Sequence, residues 1–310
     1  MENKIYLYNN YLNMARNLRT ENNLLKALSF YQKAYSMNMG KEDIELLMDM
    51  ALIYDKIGFS DEAEKKYMEI IKLDEDEARA YYGLAIIYDD NGELEKAKEY
   101  YEKAIEKNPN YDKAYFFLAN IYDEYGDKDK AIENYKKAIE INPNDLWTYA
   151  NLACIFEEMN KDNEALNYIN RALEIDDTNY KVLFNKAVIL NKLNKADESK
   201  KYYEKSIEKN LNYPYSYLNL SIIYKEEKNI EKAIEIISEG INENDDEGFL
   251  YYNRGCFYVN IQQYKRALDD VIKSIELDEF FLDYMKKDSE LDPIRELREY
   301  IYFIENYTKR

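Results

Sequence analysis

The segment KAYFFLANIYDEYGDKDKAIENYKKAIEINPN, residues 113–144, holds two helical patterns in succession. Tyr115, Leu118, Ala119 and Tyr122 follow i, i+3, i+4, i+7 spacing, one apolar face of a helix. Gly126 follows, where a left-handed residue is cheap and a helix ends. Ala131, Tyr135 and Ala138 mark a second helix, and Pro143 closes it.

The pattern repeats every 34 residues. Ala131 recurs upstream as Ala97 and Ala63, and downstream as Ala165, Ser199, Ala233 and Ala267. Ala27 joins this set after a two-residue insertion between the first two repeats. A second small series is Ala15, Ala51, Ala85, Ala119, Ala153, Ala187, Ser221 and Gly255. Two large series run beside them. One is Leu18, Tyr54, Tyr88, Tyr122, Phe156, Leu190, Tyr224 and Tyr258. The other is Tyr31, Tyr67, Tyr101, Tyr135, Ile169, Tyr203, Ile237 and Val271. Small residues let two helices approach, and large ones fill the space beside them to interior density. Gly58 and Gly92 hold the Gly126 slot earlier, and Asn160 and Asn194 hold it later.

Composition agrees. The chain has 310 residues with 8 Gly, 4 Pro and 34% charged residues, a mix that suits an all-helical protein. No composition shift or Gly/Ser linker breaks the series, so one domain over 1–310 is expected. The repeats span about 8–41, 44–77, 78–111, 112–145, 146–179, 180–213, 214–247 and 248–281. After Phe281 the register stops, but Leu291, Ile294, Leu297, Ile301 and Ile304 keep helical spacing. Residues 282–310 are expected to be capping helices over the last apolar face.

These residues resemble the tetratricopeptide repeat (TPR) family. The family pattern of aromatic, Leu-Ala, Tyr, Ala, aromatic, Ala and Pro reads here as Tyr115, Leu118-Ala119, Tyr122, Ala131, Tyr135, Ala138 and Pro143. The resemblance covers roughly residues 8–281. Lys186 and Arg254 depart from it by replacing the Leu. It implies an all-α solenoid, a right-handed superhelix whose first helices line a concave groove. It also implies binding of a protein or peptide rather than catalysis.

Three series on the first helices are candidates for contact. Asn151, Asn185, Asn219 and Asn253 fall in consecutive repeats, with Asn13 in the first and Asp49, Gly83 and Phe117 between. An Asn side chain both accepts and donates, so such a row suits a peptide backbone. It resembles the asparagine ladder of the O-GlcNAc transferase repeats. Equally, Asn is common in this slot across the family. The second series supplies apolar anchors: Leu12, Met48, Tyr82, Phe116, Ala150, Phe184, Leu218 and Tyr252, with Trp147, Tyr215 and Phe249 one turn earlier in their helices. Aromatics make good interface hot spots, though packing between neighbouring first helices would also use them. The third is acidic: Asp89-Asp90, Asp123-Glu124 and Glu157-Glu158. Each pair ends a first helix, where the macrodipole disfavours negative charge. A cationic ligand stretch and a solvated acidic rim both account for it. The slot one residue after the aromatic opener holds no Lys in any repeat, which argues against the family's clamp for chaperone tails.

The function classes narrow accordingly. Lys and Arg total 43 against 62 Asp and Glu, a formal charge of −19. Phosphate backbones and anionic membranes are therefore poor partners, and a partner with basic residues is favoured. Histidine is absent, which removes the commonest general base and metal ligand. No phosphate loop, nucleophile elbow, zinc spacing or EF-hand loop occurs. No enzyme activity, cofactor or metal is expected. The opening MENKIYLYNNYLNMARNLRT lacks an apolar run of signal-peptide length, and no stretch is long enough to span a bilayer. With only two cysteines this predicts a reducing, cytoplasmic setting. Cys154 and Cys256 share a slot three repeats apart and read as small groove-lining residues. The leading reading is an adaptor or scaffold that binds an extended peptide in its groove. A signalling-peptide sensor and a structural assembly subunit are the alternatives, and partner and oligomeric state stay open.

Overall fold

The computed structural model describes residues 2–307 and is all-α. Helix pairs follow one another along the chain. They begin with α1 (Glu2–Thr20) and α2 (Leu24–Tyr35), then α3 (Ile44–Lys56) and α4 (Ser60–Leu73). Next come α5 (Ala78–Asp90) with α6 (Leu94–Lys107), and α7 (Asp112–Glu124) with α8 (Lys128–Ile141). Then follow α9 (Leu146–Glu158) with α10 (Asp162–Ile175), and α11 (Tyr180–Lys192) with α12 (Ala196–Lys209). The last pairs are α13 (Pro214–Glu226) with α14 (Ile230–Glu243), and α15 (Gly248–Asn260) with α16 (Tyr264–Leu277). A short 3₁₀ turn, Asn38–Lys41, takes up the insertion between the first two repeats.

The breakers act as the spacing requires. Gly58, Gly92 and Gly126 have φ of 81°, 74° and 76°, and Asn160 and Asn194 follow at 55° and 57°. The slot persists where the sequence offers neither residue: Lys228 and Gln262 take φ of 63° and 61°. Side-chain caps start several helices. Asp43 accepts from the Leu46 amide and Asp127 from the Lys130 amide.

Both small series are buried throughout, as is the Tyr31 to Val271 series. Where Ser199 replaces alanine, its hydroxyl donates to the Ala187 carbonyl at 2.7 Å, so the polar atom is satisfied in the core. Within a repeat the two helices pack against each other, as α5 with α6 and α15 with α16. Successive first helices also touch, α3 with α5 and α13 with α15, which makes them one layer of each unit.

The chain divides into two compact units, Met1–Thr148 and Tyr149–Arg310, and the boundary falls inside α9. Unit 1 is built on clusters around Tyr31 and Met50, and around Tyr67, Leu84 and Tyr101. Unit 2 is built around Tyr203 and Leu220, around Ile237 and Phe257, and around Val271 and Ile294.

The two residues that replace the pattern's Leu, Arg254 and Lys186, both find partners. Arg254 grips the buried Asp270 with two parallel bonds, Nε to Oδ2 at 2.7 Å and Nη2 to Oδ1 at 2.8 Å. It also donates to Ser238 Oγ and lies over the rings of Tyr251 and Tyr258. Lys186 reaches the Tyr202 hydroxyl at 2.8 Å and sits over that ring.

After the last repeat come α17 (Phe280–Lys287), a 3₁₀ turn (Ser289–Leu291), α18 (Asp292–Arg295) and α19 (Arg298–Tyr307). Leu291, Ile294, Leu297 and Ile304 pack into the last repeat's core. Ile301 does not: it is 49% exposed, because the segment is three short helices and a turn rather than one continuous face. Among the described residues, no helix is long and apolar enough to cross a membrane.

Candidate functional site

In unit 1 the N-terminal ends of the first helices enclose a cavity of about 290 Å³. Tyr82 of α5, Phe116 and Phe117 of α7, and Trp147 of α9 supply its rings, and Asp112 and Asp145 supply carboxylates. The rings hold one another in place. Tyr82 lies 4.8 Å from Tyr111 and 6.1 Å from Phe117, centre to centre, and Phe116 meets Phe117 edge-on at 5.1 Å. Phe117 is further stacked on the buried Tyr101 at 5.8 Å. Trp147 is the exception, since it remains 42% exposed at the rim. The carboxylates are also fixed. Asp112 Oδ2 accepts from Asn142 Nδ2 at 2.9 Å, and Asp145 caps α9 by accepting from the Thr148 amide and hydroxyl. The expected anchors Tyr82, Phe116 and Trp147 thus come together in one place. Asp112, Asp145 and Asn142 were not among the candidates.

The acidic series occupies the other ends of the same helices. Asp89 and Asp123 are half-buried, Asp90 and Glu124 exposed. Asp89 accepts from the Tyr101 hydroxyl at 3.0 Å, and Asp123 pairs with Lys128. The row is longer than expected. Asp55, one repeat before Asp89, belongs to it, and its carboxyl is held above the usual range by burial and by Asp90. Asp89 is likewise raised, first by burial and then by Asp90 and Glu124, against the pull of Tyr101. Among the described residues no cation pairs with Asp55, Asp89, Asp90 or Glu124.

The asparagine row lies in unit 2 and is half-buried. Asn219 and Asn253 donate to carbonyls four residues earlier, Tyr215 and Phe249, and Asn185 donates to Cys154 Sγ at 3.2 Å. Asn151 is half-buried as well. In unit 1 the equivalent slot meets the large residue of the preceding repeat. Asp49 accepts from the Tyr31 hydroxyl, a Cβ on Gly83 would lie 2.2 Å from the Tyr67 ring, and Phe117 stacks on Tyr101.

In unit 2 Phe184 and Tyr252 are packed over, while Tyr215 stays 49% exposed and stacks on Phe249. Phe184 packs edge-on against Tyr213 at 5.3 Å and near Tyr203 at 5.6 Å. Tyr252, expected on the contact surface, is 7% exposed, because Phe281 stacks on it and its hydroxyl donates to Asp288 at 2.7 Å. Glu290 beside it accepts from Lys225 Nζ and from Asn260 Nδ2, both at 2.7 Å. Cys256 is buried beneath these groups, and its thiol is pushed up to about 12, by burial first and then by Glu290 and Asp288. Cys256, Asp288 and Glu290 lie within 4.8 Å of one another. With Lys225 on Glu290 and Tyr252 on Asp288, the arrangement is a tie between cap and repeat. Glu157 also has a cation, Lys192, which additionally donates to the Glu157 carbonyl at 3.2 Å, while Glu158 is exposed.

Family models of the tetratricopeptide repeat match residues 78–111, 112–145, 134–167, 180–212, 214–246 and 250–281. The chain belongs to the tetratricopeptide repeat family. No curated protein matches it in sequence. Solved structures do. A TPR protein from Parabacteroides merdae superposes with a TM-score of 0.61 at 18% identity, covering 78% of this chain and 97% of that one. The pilF protein of Pseudomonas aeruginosa superposes at 0.57 with 22% identity, covering 69% and 98%. MamA is 29% identical over 53% of this chain and 94% of its own, at 0.47. The first two likenesses are of fold. They agree with an all-α array of TPR hairpins, and the choice of ligand rests with residues particular to this chain.

Proposed function

We propose that this TPR chain is a protein–protein interaction adaptor without catalytic activity, and that it binds an extended peptide segment along its first helices. One observation carries the reading. A ring-lined cavity in unit 1 is open at a rim formed by Trp147, the chain's sole tryptophan. An exposed tryptophan over an aromatic pocket is the composition of an interface hot spot. Apolar surface of that kind on an otherwise charged protein marks a place where a partner sits. The net charge of −19 favours a partner with basic residues and disfavours nucleic acid and anionic membrane. Two free thiols suit a reducing, cytoplasmic location. The asparagines of unit 2 are proposed as secondary contacts to a peptide backbone.

The test is to identify a partner by capture, tile its sequence as short synthetic peptides, and measure their binding. The segment that binds the wild type should lose most of its affinity for Trp147→Ala while the far-UV spectrum stays unchanged. Equal affinity for the variant would overturn the reading.

A further inference from the structure

We propose that the unit 1 cavity receives a cationic side chain of the bound peptide, arginine in preference to lysine. The proposal rests on the peptide-binding reading and names the chemistry of its anchor residue.

The walls combine two features that attract a cation. Tyr82, Phe116, Phe117 and Trp147 offer ring surface, and an ammonium or guanidinium over such a face is attracted by the ring quadrupole. Asp112 and Asp145 offer negative charge at the same cavity. Each carboxylate accepts from neutral donors only, Asn142 for the first and the Thr148 amide and hydroxyl for the second. Such bonds orient the oxygens and leave the charge uncancelled. Among the described residues neither carboxylate has a cationic partner. Lys113 also lines the cavity, but it is exposed and makes no ion pair there, so it can swing aside.

Competing occupants fit worse. A purely apolar side chain would fill the ring-lined part and strip water from two charged groups without replacing it. An acidic side chain would meet like charge. Arginine suits both parts at once, since its plane stacks on rings and its fork of N–H donors reaches carboxylates. The acidic row Asp55, Asp89, Asp90 and Glu124 on the same first helices extends this preference to flanking basic residues.

The experiment uses the full chain against a library of randomised short peptides. Enriched sequences should share one position occupied by arginine or lysine. An enriched peptide is then made in two versions, with arginine or with neutral citrulline at that position, and titrated by the fluorescence of Trp147. The citrulline version should bind roughly tenfold more weakly, the scale of a desolvated cation–π contact with a paired charge. Asp112→Asn with Asp145→Asn should abolish that difference by weakening only the arginine peptide. Asn keeps the cap on α9, and Asp145→Asn alone should give part of the loss. Enriched peptides lacking a common basic position, or equal binding of the two versions, would overturn the cationic anchor and leave peptide binding standing. Enrichment of no peptide at all would overturn both.

Discussion

The ends of the first helices differ between the two units although they occupy the same slots. In unit 1 the slots read Arg19-Thr20, Asp55-Lys56, Asp89-Asp90 and Asp123-Glu124. In unit 2, after Glu157-Glu158, they read Asn191-Lys192, Lys225-Glu226 and Val259-Asn260. Unit 2 neutralises itself there, with Lys192 on Glu157 and with Lys225 and Asn260 on Glu290. Among the described residues no cation pairs with Asp55, Asp89, Asp90 or Glu124 in unit 1, and Asp55 and Asp89 are raised. The exposed rings do not divide the units in this way: Trp147 is 42% exposed in unit 1, and Tyr215 in the same slot of unit 2 is 49% exposed and stacked on Phe249. The repeats are interchangeable where they pack and individual where they face outward. At the unit 1 cavity, ring surface lies beside Asp112 and Asp145, which among the described residues have no cationic partner, and there a cationic ligand would gain most.

The largest expected effect tests the self-sufficiency of unit 2. Arg254→Leu restores the family residue but strands Asp270, which is buried. Breaking such a pair from one side costs about 3–5 kcal/mol. The unfolding midpoint in urea should fall strongly, and Arg254→Leu with Asp270→Ala should recover most of the loss. A single variant as stable as the wild type would show that Asp270 is satisfied by other groups.

Next in size is the binding contrast. Trp147→Ala should cost a bound peptide about 2 kcal/mol, the scale of a hot spot. Asn185→Ala with Asn219→Ala should cost less, since each hydrogen bond nets roughly 0.5–1.5 kcal/mol and both amides already have partners within the chain. Calorimetry on the same peptide ranks the two. The opposite ranking would move the principal contact from unit 1 to unit 2.

What was legible in the sequence follows from the reach of each interaction. The alanine and tyrosine series could be read because close packing of paired helices tolerates only a small residue opposite a large one, whatever the neighbours. The asparagine row was harder. Its slot faces the preceding repeat, as Asp49 with Tyr31 and Gly83 with Tyr67 show, so its role depends on a residue outside its own helix. Arg254 looked like a defect because its partner Asp270 lies on the other helix of the repeat. Asp112 and Asp145 escaped notice because a carboxylate in a first turn is ordinary, and only the fold turns both toward the rings of Tyr82 and Phe116. In the cap, apolar spacing alone could not reveal that the segment breaks after Leu291 and again after Arg295, which leaves Ile301 outside.

The smallest effects give the sharpest contrast, because one slot should respond with opposite signs. Asp89→Asn keeps an acceptor for the Tyr101 hydroxyl and removes a charge that burial, Asp90 and Glu124 oppose. A carboxyl raised in the folded state stabilises it only when protonated, so ionised Asp89 is a cost at neutral pH. The variant should therefore be more stable at pH 7, by on the order of half a kcal/mol given solvent screening. Its advantage should disappear as the pH falls through the folded-state titration of Asp89, where the wild type takes up the proton. Glu157→Gln removes the partner of Lys192 instead and should destabilise by a similar amount, on the order of half a kcal/mol. Both differences should shrink in molar salt, where the screening length is about 3 Å. Thermal melts at two pH values and two salt concentrations decide the matter. If Asp89→Asn were destabilising at pH 7, the unit 1 row would be self-satisfied like that of unit 2, and the argument for basic residues flanking the anchor would lose its support.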